Sequence, residues 1–579
     1  MAPSHLQGLS QPAEMPALLA LLLFQVAASV SSVSRGTELS VDVDVVVVGG
    51  TASGIAAGIA AANGVSGRHS VAIFERLNML GGMAVAGGVG LMNNEAGVYG
   101  QGIGAIWCTL NAIYYNASKP NCFPEMFVGE QSFYRMINAT ANLTLSLGCR
   151  FLNVDINRAT GNACLTTAHF LCANDTVPVA ATARVFIDAS YDGDAMVSAG
   201  VTHAHGREAA SEFNESAAGV ILPGDPNESF NGLDIDPFWP NGTLLRGISQ
   251  EPLPPLGSGD DRLMAFSYFI CGSPLAEGRA IPWTKPANYD ASDFELLRRV
   301  IQRYVDLNRT FELSDFSEWQ AYTTPANKTK ILLCCGRAPV NMDQPDLNRG
   351  WATASYTERL AIEAAHRYYL LGSLYFMSND ASVNNFTRYA IGRWGSCADE
   401  YTSNGNFPPQ IYVRISNRLR GMTLLTQNNI NNPQTRPDSI AVGDWSFDQH
   451  TESRRAVRDP KNSSRLIVIN EGYMRRSFTP GNWYDLPFSV MLPQRGEADN
   501  LLVSVAISAT SVAYSSTRIE QQFVDAGAAA GVAAALAIEN AGSGAGVCAG
   551  LGYNLADTNV TAVQETLVQT YNQRIHGPP

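Results

Sequence analysis

The stretch Val43–Arg76, VDVVVVGGTASGIAAGIAAANGVSGRHSVAIFER, decides the fold. A β-branched run, Val45 to Val48, meets a glycine turn at Gly49 and Gly50. A helix of small residues follows, from about Ser53 to Ala62, and a second strand over Ser70–Phe74 ends in Glu75 and Arg76. Strand, glycine turn, helix, strand and acid in this order predict a dinucleotide-binding βαβ unit. Gly49 permits the tight turn. Gly54, with Ala57, Gly58 and Ala61, lets the helix pack close to a sheet. The N–H groups around Ala52, Ser53 and Gly54 lie at the positive end of that helix and suit a pyrophosphate. Glu75 stands where a carboxylate accepts from ribose hydroxyls and repels a 2′-phosphate. The middle position of the glycine fingerprint is Thr51.

Length and charge set further bounds. The chain has 579 residues and a net charge of −13, with acids and bases interspersed. Two joined domains are expected from the length. The absence of a basic run argues against nucleic acid as a partner. Ala17–Ala28 (ALLALLLFQVAA) resembles the apolar core of a secretory signal, so residues 1–34 are expected to be a signal peptide and no stable membrane anchor is expected. Twelve N-x-S/T sequons between Asn116 and Asn559 point to the same route, and to a secreted or luminal glycoprotein. Ten cysteines suit an oxidising compartment, although spacing does not give their pairing. Cys334 and Cys335 are adjacent, which indicates neither a zinc site nor a thioredoxin-like motif; no metal site is expected.

The segment Leu80–Gly104 is too rich in glycine for a regular helix, yet Met83, Val85, Val89 and Leu91 argue for its burial. Short strands are expected over Arg150–Val185. Val185–Asp194 (VFIDASYDGD) then reads as a buried strand entering a polar turn, which places Asp188, Asp192 and Asp194 at a strand's carboxyl end. Helices are expected over Asp293–Asp306, Thr357–Met377 and Gln410–Gln427. Nucleotide-fold character returns with a strand over Asn500–Val505, a polar connector over Ile507–Arg518 and a small-residue helix over Phe523–Glu539. The expected organisation is a first nucleotide-binding part at 42–213, an embedded domain at 214–490, a return at 491–545 and a tail at 546–579.

Several motifs together carry a resemblance. DVVVVGGTASGIAAGIAAA, FERLNMLGGMA, VFIDASYDGDAMVSAGV with HAHGRE, PPQIYVRISNRLRGM, WSFDQH and the segment Leu486–Ile538 resemble the FAD-dependent oxidoreductases of the glutathione-reductase-like superfamily, distantly related to fumarate reductase flavoproteins. The resemblance implies an α/β fold, a Rossmann-like FAD-binding domain of three-layer ββα type, with an embedded α+β substrate or cap domain. It implies FAD contacts from Gly49, Gly50, Thr51, Ala52, Ser53, Gly54, Glu75, Arg76, Gly81, Gly82, Met83, Asp188, Asp194, Arg518 and Gly527. The C-terminal helix would place its positive end near the flavin pyrimidine.

Arg207, Arg414, Arg418 and Arg420 are candidates for holding a substrate carboxylate, since the guanidinium fork binds one bidentately. Arg414 and Arg418 would share a face if their segment is helical. His450, two residues after Asp448, is a candidate general base. The leading reading is a secreted FAD-dependent oxidoreductase that moves a hydride from a small organic substrate to flavin, with oxygen or another extracellular acceptor as oxidant. A flavin monooxygenase and a non-catalytic flavoprotein-fold binding protein are the alternatives. Substrate, flavin attachment and oligomeric state are not set by the sequence.

Overall fold

The computed structural model describes residues 38–64, 69–91, 101–158, 162–222, 227–322, 324, 328–476, 483–540, 548 and 554–577. The signal-like segment, the sequon at Asn327 and part of the glycine-dense stretch lie outside them.

Five strands form a parallel sheet: β1 (Val45–Val48), β2 (Val71–Phe74), β3 (Leu143–Ser146), β4 (Val185–Asp188) and β5 (Leu501–Val503), in the order β5-β4-β1-β2-β3. All four pairings are parallel, with Val45 opposite both Val71 and Val185. The alternation of side chains along β1 and β2 splits them between two cores. Val45, Val47, Val71 and Ile73 face a helical layer. Val46, Val48, Ala72 and Phe74 face a second sheet. Burial on both faces explains why these strands read as unbroken apolar runs.

That second sheet consists of Leu39–Asp42, Val177–Thr182, Cys164–Cys172 and Arg150–Asn157, neighbours in that order. Phe170 stacks on Phe74 at 4.1 Å between ring centroids, joining the two sheets. The helical layer is built by α1 (Ala52–Asn63) and α2 (Glu520–Glu539). A Cβ on Gly527 would stand 2.1 Å from the Ser53 carbonyl oxygen, and one on Gly531 would stand 2.2 Å from that of Ala57. The glycines therefore let the helices cross at backbone contact. Although α2 is long and apolar enough to cross a membrane, its residues are buried inside the fold. Helical layer, parallel sheet and second sheet make the expected three-layer ββα arrangement.

Between β4 and β5 lies a five-stranded antiparallel sheet, Ala280–Pro282, Trp394–Cys397, Ile270–Pro274, Ile331–Cys334 and Glu318–Ala321, with helices at Glu295–Asp306 and Tyr356–Asn379. Two expectations fail in this region and just beyond it. Residues 410–426 are not helical: Arg418–Leu419 pairs with His203–Ala204 as a short strand, and a helix begins only at Gln427–Asn431. Arg414 and Arg418 therefore share no helix face. The connector before α2 holds a helix of its own, Ser511–Thr517, capped by the Thr510 hydroxyl accepting from the Ala513 N–H at 3.2 Å.

Four disulfides join Cys108–Cys122, Cys149–Cys172, Cys164–Cys548 and Cys271–Cys397. The third ties the C-terminal region to the second sheet across 384 residues of sequence.

Candidate functional site

The turn after β1 is built for close approach. Gly49 has φ of 102°, a conformation that side chains disfavour, and a Cβ on Gly54 would fall 1.9 Å from the Gly49 carbonyl oxygen. Thr51 replaces the middle glycine with a double contact. Its hydroxyl accepts from the Gly54 N–H at 3.1 Å, capping α1, and donates to the Ala189 carbonyl at 2.9 Å. The Glu75 carboxylate accepts from the N–H groups of Gly50 at 2.7 Å and Leu77 at 2.8 Å. Burial raises its pKa, against the opposing pull of those N–H groups and Arg76.

Gly49, Thr51, Glu75, Arg76, Ser190, Tyr191, Asp192 and Asp194 line a cavity of about 440 Å³, closed on the far side by Trp351, Arg359 and Glu363. Its size suits a nucleotide. Arg76 pairs with Glu363 at 3.1 Å, and Arg359 with Asp192 at 3.2 Å and Asp194 at 3.1 Å. Asp188 does not reach this space. Its carboxylate accepts from the Ser190 N–H and hydroxyl and from the Met196 N–H, so it shapes the turn. Burial, then the Asp194 charge, pushes its pKa up to about 7.

Tyr191 leads from this cavity to the head of α2. Its hydroxyl donates to Glu520 Oε1 at 2.8 Å and accepts from the Met83 N–H at 2.7 Å. Gly81 sits beside Thr51 through a bridge, and a Cβ on Gly82 would meet the Tyr191 hydroxyl at 2.5 Å. Around the head of α2, buried polar atoms lack hydrogen-bond partners: Arg518 Nε, Glu520 Oε2, Gln521 Oε1 and Gln522 Nε2. Burial pushes Glu520 up to about 8, which keeps its carboxyl protonated at neutral pH. A nucleotide-sized cavity at the glycine turn, joined through the Tyr191 hydroxyl to a helix N-terminus with orphaned polar groups, fits FAD. Gly527 lies away from any such space, against Ser53, and serves helix packing.

Beyond Arg518 runs a chain of charges. Arg518 Nη2 donates to the Asp448 carbonyl at 2.9 Å and carboxylate at 3.2 Å. Asp448 Oδ1 is 3.7 Å from His450 Nε2, His450 Nδ1 is 2.6 Å from Asp343 Oδ2, and Asp343 Oδ1 is 2.9 Å from Arg414 Nη2. The Tyr412 ring lies under both guanidinium groups, 5.0 Å from Arg414 and 5.4 Å from Arg518, and its hydroxyl accepts from Arg518. Burial and the Arg414 charge push the His450 pKa down, but Asp343 and Asp448 outweigh them and the net shift is upward. Asp343 moves the other way: burial raises it, while Arg414 and His450 bring it below its ordinary value. Glu228, His450 and Asp343 present ligand atoms within 4.8 Å of one another, near enough to hold a cation. Arg414 and His450 already bring positive charge to that cluster.

Arg207 and Arg418 stand apart from this chain. Arg207 is enclosed by Asp260, Glu452 and Glu471, at 2.7 Å from Asp260 and 2.9 Å from Glu471. Arg418 donates to the carbonyls of Ala509 and Gly206, each at 3.0 Å, and pairs with Glu208, which also holds Arg420. Arg207 spends its guanidinium on the fold's own carboxylates, whereas Arg418 is held through Nε and Nη2 and keeps a buried Nη1 without a hydrogen-bond partner. The structure thus gathers Arg414, His450 and Arg518, and adds Asp343, Tyr412, Tyr191, Glu228 and Glu520, which the sequence did not single out as site residues. Tyr191 carried a readable signal, inside the turn after β4; Asp343 and Glu228 carried none.

A parallel βαβ core with a glycine turn, a nucleotide cavity and a returning C-terminal helix defines a flavoprotein oxidoreductase fold. The chain belongs to the FAD dependent oxidoreductase family, whose model matches residues 44–566. It is an FAD-dependent oxidoreductase, and FAD is its cofactor. No curated protein matches the sequence. Solved structures with similar segments include THI4 from Thermovibrio ammonificans, 18% identical with a TM-score of 0.23, over 33% of this chain and 72% of that one. L-proline dehydrogenase from P. horikoshii is 13% identical with a TM-score of 0.18, over 31% and 27% of the two chains. Adenylylsulfate reductase from Archaeoglobus fulgidus is 13% identical with a TM-score of 0.19, over 27% and 33%. These likenesses are local, and the family assignment rests on the family model.

Proposed function

We propose that the chain is a secreted oxidoreductase that removes a hydride from a small organic substrate bearing an anionic group, held at the Arg414–His450–Arg518 cluster. The observation that carries this reading is a pair of unpartnered donors: the buried Nε atoms of Arg414 and Arg518, whose guanidinium groups lie 5.0 Å and 5.4 Å from the Tyr412 ring centre, lack hydrogen-bond partners. Donors left unsatisfied in a buried site are costly unless a ligand meets them. FAD supplies a two-electron acceptor when bound. Gly49–Gly54 and Glu75 would hold its adenosine diphosphate half, and the head of α2 would meet its ring. Arg414 would orient the substrate anion. His450, fixed through Nδ1 by Asp343, would take a proton from the substrate at Nε2. Because its carboxylate neighbours favour the imidazolium, that step would speed up as pH rises.

Secretion is supported by the signal-like leader, the four disulfides and sequon placement. Ten of the eleven sequon asparagines among the described residues are exposed, and Asn227 is half-buried. A secreted enzyme has no nicotinamide pool to draw on, so oxygen or another extracellular acceptor is the proposed oxidant. The test uses protein purified from a secretory host. A flavin absorbance spectrum, bleached anaerobically by a member of a hydroxy-acid and amino-acid panel, with hydrogen peroxide formed on admitting air, is expected. Protein that binds FAD but is reduced by no anionic substrate, while neutral substrates reduce it, would sink the proposed role of Arg414.

A further inference from the structure

Eight of the ten cysteines are paired in disulfides, and Cys334 and Cys335 remain as thiols. They are neighbours in sequence, and both are half-buried. Consecutive Cα atoms are about 3.8 Å apart, closer than the usual disulfide span of roughly 4.4–6.8 Å. In a regular strand their side chains would also point to opposite faces. Here the backbone turns between them. Cys334 closes the strand Ile331–Cys334, opposite Glu318. Cys335 then adopts φ of 25°, in the left-handed region that a residue with a Cβ disfavours. The turn leaves the two thiols close enough to act on one another.

The surroundings fix this turn from both sides. The Cys335 carbonyl accepts from the Glu318 N–H at 2.8 Å, and the Cys334 carbonyl accepts from the Ser317 hydroxyl at 3.2 Å. A Cβ on Gly336 would stand 2.3 Å from the Phe316 carbonyl oxygen, so the residue after the pair has to be glycine. Cys335 is also within electrostatic reach of Asp343, Arg414 and Arg475, which puts the pair at the edge of the charged cluster.

We propose that Cys334 and Cys335 are a second redox centre, a dithiol that closes to a vicinal disulfide by exchange with an incoming disulfide. One thiolate attacks a sulfur of that disulfide, forming a mixed disulfide and expelling a thiolate. The neighbouring thiolate attacks the mixed bond, closing the eight-membered ring and expelling the second. The pair loses two electrons and two protons, and the incoming disulfide becomes two thiols. Ring strain and partial exposure make the bond easy to reduce again, which distinguishes it from the four structural disulfides. Closure replaces the ionisable Cys335 thiol, within electrostatic reach of Arg414, with a neutral, polarisable edge. That consequence rests on the proposed substrate site, whereas the redox pair itself does not.

The test reads mass and is independent of flavin chemistry. The full-length glycoprotein is equilibrated over a series of reduced-to-oxidised glutathione ratios, acid-quenched, alkylated with iodoacetamide and digested with trypsin, which releases Ile331–Arg337. The expected peptide is unlabelled and two hydrogens lighter under oxidising ratios. Both cysteines should gain label together at one midpoint, while the other eight stay unlabelled. A Cys335→Ser variant is expected to stop at a stable glutathione adduct on Cys334. Two thiols labelled at every ratio, a glutathione adduct accumulating in the wild type, or no adduct in the variant would overturn the proposal.

Discussion

Asp343 and His450, 107 residues apart in sequence, meet at 2.6 Å through Oδ2 and Nδ1. The other oxygen of the same carboxylate faces Arg414, so one buried aspartate orients both the proposed base and the proposed anion clamp. Asp343→Asn keeps the shape and removes the charge. The imidazolium then loses its main support, and the acid limb of the kcat/KM profile is expected to move to lower pH. In the wild type that limb is expected above the ordinary histidine value of 6.5, because the net shift of His450 is upward. A base held in the wrong orientation is expected to cost about 10²-fold or more in kcat. An unmoved limb in the variant, with full kcat, would assign the pair to structure alone.

Arg207 and Arg414 are both buried arginines with acidic neighbours, and they are expected to fail differently. Arg207→Met removes the cation that joins Asp260, Glu452 and Glu471 and leaves only Arg262, 3.5 Å from Asp260, beside them. Breaking a buried ion pair in this way costs roughly 3–5 kcal/mol. The variant should unfold at lower urea, with the KM of the folded fraction unchanged. Arg414→Lys retains a charge to balance Asp343 but loses the planar fork. It should raise KM about tenfold or more at nearly wild-type urea stability. Equal effects of the two changes on KM would return Arg207 to the list of substrate contacts.

The contrast between these arginines also marks what the sequence made legible. The three-layer core was readable because its signals are local: four consecutive valines, a glycine turn and a helix of small residues each act within a few positions. The Arg414–Arg418 spacing suggested a helix, yet Ile411, Val413 and Ile415 alternate with polar residues at the period of an extended chain. Both sets are buried, so neither burial nor polarity separates the faces, and long-range pairing decides the conformation. Asp343 and Glu228 were invisible for a related reason. A lone acid in a turn-rich segment looks like a cap or a loop residue, and only the folding of distant segments brings both to His450. Arg207 and Arg418 look like anion ligands in the sequence because their neutralising carboxylates are equally distant.

The nucleotide turn is testable without any substrate. Glu75 receives two N–H groups across the turn, and Gly54 has no room for a side chain. Glu75→Ala should weaken FAD retention, since losing hydrogen bonds to a charged group costs about 1.5–3 kcal/mol, roughly a factor of 10 to 100 in affinity. Dialysis followed by absorbance at the flavin bands reads this directly. Gly54→Val should prevent folding and not merely weaken binding, because its Cβ meets backbone. A soluble, yellow Gly54→Val protein would contradict the geometry of the turn.

Two buried acids on α2 predict how stability depends on pH. Burial pushes Glu520 from an ordinary value of 4.5 up to about 8, and Asp525 from 3.8 up to about 8. The unfolded chain releases these protons near the ordinary values, while the folded chain keeps them until about pH 8. Between those limits the folded state binds more protons, so stability falls as pH rises. The protein as purified should therefore melt at a higher temperature at pH 5 than at pH 8. Glu520→Gln cannot ionise and still accepts from the Tyr191 hydroxyl. It is expected to match the wild type near pH 5 and to exceed it near pH 8, by at least about 1 kcal/mol. A melting temperature that rises from pH 5 to pH 8 equally in both proteins would show that Glu520 ionises freely in the folded chain. The unpartnered Oε2 at the head of α2 would then be a charged acceptor and not a proton donor facing the cofactor.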